Sequence, residues 1–270
     1  MLVIGIDGTG SEYFANDNDK YRLENQGSHV DNICKRTGGI YYRGPLVGGG
    51  GMQLTVNTVV RELIAWAGCY PSDSKELEIV LAGHSRGGLA AIMIANRLNL
   101  ARQMRLPKPL LGTFTRGTVA DIRIRCVALF DAVDRYAYEN ADSIPANVPY
   151  CYHAIRNPAV GSRQMFGNTA RNVADSSATN YVERPFWVAH AGCGGTPWTG
   201  DHPELLVDSK KVVGGEMQIT PTITEAQDKA GSAAVRAWMD GNLSSHGVFG
   251  GINLFEKGAT DLFARSQRVA

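Results

Sequence analysis

The chain has 270 residues, 44% of them apolar and 20% charged, with a formal charge of +1. That composition belongs to a folded globular protein and excludes a disordered or low-complexity chain. The near-zero charge also argues against a nucleic-acid partner held mainly through phosphate neutralisation, so none is expected. Five cysteines (Cys34, Cys69, Cys126, Cys151 and Cys193) without a CxxC pair suggest neither a disulfide framework nor a zinc site. No stretch of about 18 apolar residues is present, so no membrane span is expected. The N-terminus runs directly into LVIGID without a charged leader or a small-residue cleavage site. The expectation is a protein that is cytoplasmic as synthesised, with export left to a secretion machine that needs no signal peptide.

Residues 2–7 form a short apolar run closed by Gly8-Thr9-Gly10, which reads as a buried parallel strand and a tight turn. Residues 39–43 (GIYYR) read as a second strand. Val56, Val59, Val60, Leu63 and Ile64 mark one face of a helix over 52–67. Residues 78–83 (EIVLAG) read as a strand, and 88–100 as a helix apolar on most sides, fit to pack on a sheet. A strand over 122–130 (IRIRCVALF) ends at Asp131, and Cys126 within it reads as a buried thiol, as does Cys151 in the next apolar run. Further strands are predicted over 149–155 (PYCYHAI) and 185–189 (PFWVA), with a closing helix over 224–239. The polar segments 135–147 and 157–184 are long for plain connections, and cap or substrate-facing loops are expected there. No internal repeat or linker interrupts the pattern. The prediction is one α/β domain over 1–270, with a mostly parallel central sheet flanked by helices.

The strongest chemical signal is Gly83-His84-Ser85-Arg86-Gly87-Gly88, set between a strand and a helix. A serine on a sharp strand-to-helix turn is exposed at the carboxyl edge of the sheet, and small flanking residues let the backbones cross. Ser85 is therefore the candidate nucleophile. Its oxyanion donors are expected to be the backbone N–H of Arg86 and the turn Gly8-Thr9, with Asp7 pinning that turn by hydrogen bonding.

On this fold a triad follows the order Ser, acid, His. Asp131, at a strand end, is the first candidate acid, and Asp134 is the alternative; the strand PYCYHAI carries no acid at its end. Among six histidines, His84 lies inside the elbow, His29 precedes the nucleophile and His153 sits within a strand. His190, at the end of RPFWVAH and before a glycine-rich loop, is the first candidate base. His202 and His246 are the alternatives. Two readings compete with the hydrolase. GIDGTG looks like a phosphate loop of nucleotide-dependent phosphotransferases, although no Walker-type lysine motif accompanies it. A catalytically inactive α/β-hydrolase serving as a binding module is the other; it predicts a Ser85 with no histidine in hydrogen-bond reach.

The order DGTG, YYRG, GHSRGG, LFDAV, HAIRN and VAHAGCGG resembles the serine-hydrolase domain of type VI secretion phospholipase effectors and their relatives, over about residues 4–195. The resemblance implies an α/β-hydrolase fold, Ser85, Asp131 and His190 as the catalytic positions, and Gly8 and Thr9 in the oxyanion turn. It departs at the histidine loop, HAGCGG, where the family often carries an acidic residue, and at the alanine after Asp131. The expected substrate is a carboxylic ester or lipid, with a membrane lipid surface as a further partner. An effector would also have immunity or secretion partners. No metal or cofactor is required by this chemistry.

Overall fold

A computed structural model describes residues 1–9, 21, 25–45, 51–68, 77–103, 122–134, 142–162, 167–200, 210–213, 216–219 and 223–250. Its centre is a six-stranded sheet built from β1 (Leu2–Ile6), β2 (Ile40–Tyr42), β3 (Leu77–His84), β4 (Ile122–Phe130), β6 (Tyr150–Arg156) and β8 (Asn180–Phe186). The spatial order is β2-β1-β3-β4-β6-β8 and every neighbouring pair is parallel. Helices α1 (His29–Thr37), α2 (Met52–Gly68), α3 (Arg86–Gln103) and α5 (Glu225–Ser245) flank it. Short pieces complete the described chain. Strands β5 (Ser143–Ile144) and β7 (Asn172–Val173) pair with each other, β9 (Lys210–Val213) and β10 (Glu216–Ile219) form an antiparallel pair, and α4 (His190–Cys193) is a single turn.

A parallel sheet needs apolar cover on both faces, and the strands supply it by alternation. Leu2, Ile4 and Ile6 of β1 join Met52, Val56 and Leu63 of α2 and Leu89, Ile92 and Leu98 of α3 in one apolar layer. Val3 points the other way, into a layer with Val30 and Ile33 of α1 and Val235, Met239 and Leu243 of α5. Ser28 caps α1 by accepting from the Asp31 N–H, and Gly38 closes it in the left-handed conformation. Thr224 and Gln227 form a reciprocal capping box on α5. The chain leaves β1 toward β2 on one side and returns to β3 on the other. The crevice between the carboxyl ends of β1 and β3 is thus the switch point at which open α/β sheets bind ligands.

Most strands and helices fall where the sequence places them, with two corrections. The last central strand is Asn180–Phe186 rather than residues 185–189, so residues 180–184 belong to the sheet and not to a loop over 157–184. Pro185 marks the end of that strand instead of its start. It is tolerated because β8 is an edge strand, where a missing N–H breaks no second ladder. Helix α1 is not legible in the sequence: its single apolar stripe is short and six of its nine residues are polar. In the segment 135–147, residues 135–141 lie outside the described residues; β5 lies in the remainder.

Candidate functional site

The elbow is a steric construction. Ser85 stands at φ 55°, a left-handed backbone that a non-glycine residue adopts only when its surroundings enforce it. Its N–H donates to the Phe130 carbonyl (3.0 Å), and its own carbonyl accepts from the N–H groups of Gly88 (3.0 Å) and Val133 (3.2 Å). The glycines are required by contact. A Cβ on Gly83 would sit 2.4 Å from the Gly87 carbonyl oxygen, and one on Gly87 would lie 2.1 Å from the Ile6 carbonyl oxygen. A Cβ on Gly88 would meet the Ala132 Cβ at 2.6 Å. The pattern GxSxGG therefore packs the elbow against β1 on one side and the turn after β4 on the other.

Asp131 follows β4 and also has a positive φ, 45°. It is fully buried, and every oxygen has donors. Oδ1 accepts from the Arg156 N–H (3.1 Å) and the Asn168 amide (2.8 Å); Oδ2 accepts from the Arg156 guanidinium and from His190 Nδ1 (2.6 Å). Burial alone would raise its pKa. The bond to His190 and that imidazole's charge, then Arg156 and Asn168, more than offset this and hold the carboxyl below the ordinary carboxylate range. Because the carboxylate is ionised it can only accept, so His190 Nδ1 carries a proton. In the neutral imidazole Nε2 is then the acceptor, and it lies 2.9 Å from Ser85 Oγ.

The structure thus brings Ser85, His190 and Asp131 into one hydrogen-bonded chain. His190 does not end a strand, as the sequence suggested, but opens α4 four residues beyond the end of β8. Its loop is fastened from several sides. The His190 N–H donates to Ser162 Oγ (3.1 Å), and the carboxylate of Asp228 on α5 takes the N–H groups of Ala189 (2.6 Å) and Trp198 (3.0 Å). Gly192 lies against that carboxylate, where a Cβ would be 2.5 Å from Oδ1.

The other histidines are used elsewhere. His84 Nε2–H donates to the His190 carbonyl (3.3 Å), with its ring 5.0 Å from the His190 ring. His153 is wholly buried; its Nε2 accepts the Ala132 N–H (3.1 Å) and its Nδ1 meets the Tyr181 hydroxyl (3.1 Å). Burial pushes its pKa down to about 4, so it is neutral, and it braces the backbone beside Asp131. His29 lies against Phe130 and Ser232, also pushed down to about 4 by burial. His246 pairs with the Tyr152 hydroxyl at 2.8 Å. His202 lies outside the described residues. Asp134, three residues beyond Asp131, is partly buried, and the oxygen that meets His190 belongs to Asp131.

The turn after β1 lies beside the elbow, and a Cβ on Gly8 would come 3.3 Å from that of Ser85. The Gly8 N–H is not aimed at a substrate: it donates to Asp7 Oδ1 (2.9 Å). Asp7 Oδ2 takes the hydroxyls of Ser28 (2.5 Å) and Tyr41 (2.8 Å), and Oδ1 lies 3.6 Å from His84 Nδ1. Burial works against ionisation of Asp7, but His84, then Ser28 and Gly8, bring its pKa below the ordinary value. This carboxylate is committed to holding the turn, the opposite of what a phosphate loop asks of its aspartate. Thr9 stands next to the elbow, its hydroxyl accepting from the Arg86 guanidinium at 3.3 Å.

Sequence reasoning missed Arg156, Asn168, Ser162 and Asp228, which hold the acid and the histidine loop. Arg156 stood in the HAIRN motif, the one signal from which it was recoverable. Among the described residues, no helix is long and apolar enough to cross a membrane, and no cluster of three or more His, Cys, Asp or Glu is arranged to hold a metal ion.

No family model matches the chain, and no curated protein matches it. Among solved structures, it is similar to the Tle1 effector bound to the VgrG spike from the type 6 secretion system. The identity is 15% and the TM-score 0.35, over 72% of this chain and 51% of that one. The chain therefore spans about half the length of that protein.

Proposed function

We propose that this protein is a serine carboxylic-ester hydrolase with Ser85, His190 and Asp131 as its catalytic triad. The observation that carries the reading is the unbroken chain from Asp131 Oδ2 to His190 Nδ1 (2.6 Å) and from His190 Nε2 to Ser85 Oγ (2.9 Å). As Ser85 Oγ attacks the ester carbonyl carbon, His190 Nε2 takes its proton, and Asp131 stabilises the imidazolium and keeps the ring in one tautomer. The carbonyl electrons move onto oxygen, which the backbone N–H groups of Thr9 and Arg86 hold. Arg86 opens α3, where helix geometry turns N–H groups outward. Gly8 contributes closeness rather than its own N–H. Collapse of the tetrahedral intermediate expels the alcohol, which receives the proton from His190 and leaves an acyl ester on Ser85. Water, deprotonated by His190, then hydrolyses that ester and restores the serine.

The finer assignment is a lipase or phospholipase, supported by the motif order from DGTG to VAHAGCGG. Hydrolysis of p-nitrophenyl esters by the native protein, and its loss in Ser85→Ala, tests the ester-hydrolase reading. A phospholipid panel with head-group and acyl-position readout tests the lipid assignment. Turnover of soluble esters with every vesicle left intact would refute the lipid assignment alone.

A further inference from the structure

The acid of the site has an unusual neighbour. Arg156, at the end of β6, is nearly buried, and its guanidinium donates to Asp131 Oδ2, the same oxygen that accepts from His190 Nδ1. A carboxylate held by neutral donors puts its full negative charge against the histidine. Here one oxygen is divided between a permanent cation and the imidazole.

We propose that Arg156 is a positioning residue that sets the basicity of His190: by occupying Asp131 Oδ2 it takes up part of the carboxylate's charge, so His190 stays a neutral base in more acidic solution. The proposal rests on the triad reading above. Its physical basis is that a cation near a titrating imidazole disfavours the charged imidazolium, and a low-dielectric site amplifies the effect. The groups around His190 support the balance. Asp131 Oδ2 meets the ring directly, at Nδ1. Asp228, on α5, accepts from two backbone N–H groups, one of them that of Ala189, the residue before His190. His84 approaches with its Nε2–H on the His190 carbonyl, and Asp7 lies behind it. Ser85 and the buried Cys193 thiol are neutral neighbours. Arg156 is therefore a permanent positive charge that shares the acid with the base. Its backbone N–H reaches the other oxygen, Oδ1, which fixes the carboxylate's orientation independently of the guanidinium. Substitution of the side chain thus changes charge while one anchor remains.

The test compares native protein with Arg156→Gln and Arg156→Lys in the pH dependence of kcat/KM, whose acid limb reports protonation of the free enzyme's base. Loss of the cation makes the imidazolium easier to form, so the acid limb of Arg156→Gln moves up by about one pH unit. Arg156→Lys restores the native limb. A folded Arg156→Gln protein with reduced turnover but a superimposable acid limb would overturn the proposal, because a purely structural role lowers activity without moving that limb. Imidazole NMR in the Ser85→Ala background gives a readout that needs no activity: adding Arg156→Gln is expected to raise the His190 midpoint by about one pH unit. A midpoint that does not move on loss of the guanidinium also overturns the proposal. A failure of the hydrolase reading appears separately, as absence of esterase activity in the native protein whatever the titration shows.

Discussion

Replacement of Asp131 by Asn isolates the link between fold and chemistry. The Asp131 carboxylate accepts from four donors, two on each oxygen, while an asparagine has one oxygen and an NH2 in place of the other. If the amide oxygen keeps Arg156 N–H and Asn168, the NH2 faces His190 Nδ1, which must then accept. The proton moves to Nε2, and the base can no longer take the Ser85 proton. The same inversion of a histidine tautomer in a serine triad lowers kcat about 10⁴-fold, or about 5.5 kcal/mol of barrier. The fold is weakened as well. Arg156 loses its anionic partner in a buried site, at a cost of about 3–5 kcal/mol. At about 2–4 °C per kcal/mol for a chain near this size, Tm falls by roughly 6–20 °C. The assay is steady-state hydrolysis of a short p-nitrophenyl ester at a temperature where circular dichroism shows the variant folded. A folded Asp131→Asn protein within about tenfold of native kcat would refute the triad argument.

Other substitutions probe the supports. Gly87→Ala puts a methyl where the carbonyl oxygens of Ile6 and Asp7 lie, and since neither is a movable side chain the elbow has to shift. A loss of about 1–3 kcal/mol in urea unfolding is expected, together with loss of esterase activity. Asp228→Asn leaves one of the Ala189 and Trp198 N–H groups facing another donor. It is expected to lower kcat by roughly tenfold with KM nearly unchanged, because the misplacement affects the base and not substrate binding; an unchanged kcat would show that the loop holds without it. The lowered pKa values of Asp131 and Asp7 also set a pH dependence. The stability these two carboxylates confer is complete above their unfolded value near 3.9 and drains as pH falls through their lower folded values. Urea-unfolding free energies should fall steeply below about pH 4, and less steeply in Asp131→Asn, which lacks one of the two groups.

The elbow was legible because its residues are contiguous. Gly83, Ser85, Gly87 and Gly88 lie within six residues, so the pattern is visible in one short stretch even though Gly87 and Gly88 answer contacts with Ile6 and Ala132. Asp131 was legible for a similar reason, since an apolar strand ending in an acid places that acid at the sheet edge. The partners of Asp131 and of the histidine loop were not, because Arg156, Asn168 and Asp228 lie 25 to 39 residues along the chain from the groups they hold. No periodicity announces such pairings; the crossovers of the sheet create them. The strand boundary near Pro185 was misjudged because proline reads as a break, and only the edge position of β8 makes it acceptable. Asp7 pins the turn by hydrogen bonding as the sequence suggests, but the N–H it takes is that of Gly8, one of the groups expected to face a substrate.

The central claim, that Ser85 is an activated nucleophile, is tested most directly by intact-mass analysis after brief exposure to a fluorophosphonate. The account predicts one adduct per chain in the native protein, mapped to Ser85 by peptide sequencing. It also predicts no adduct in Ser85→Ala and slowed labelling in His190→Ala. A folded native protein that remains unmodified, or is modified equally after Ser85→Ala, would contradict it.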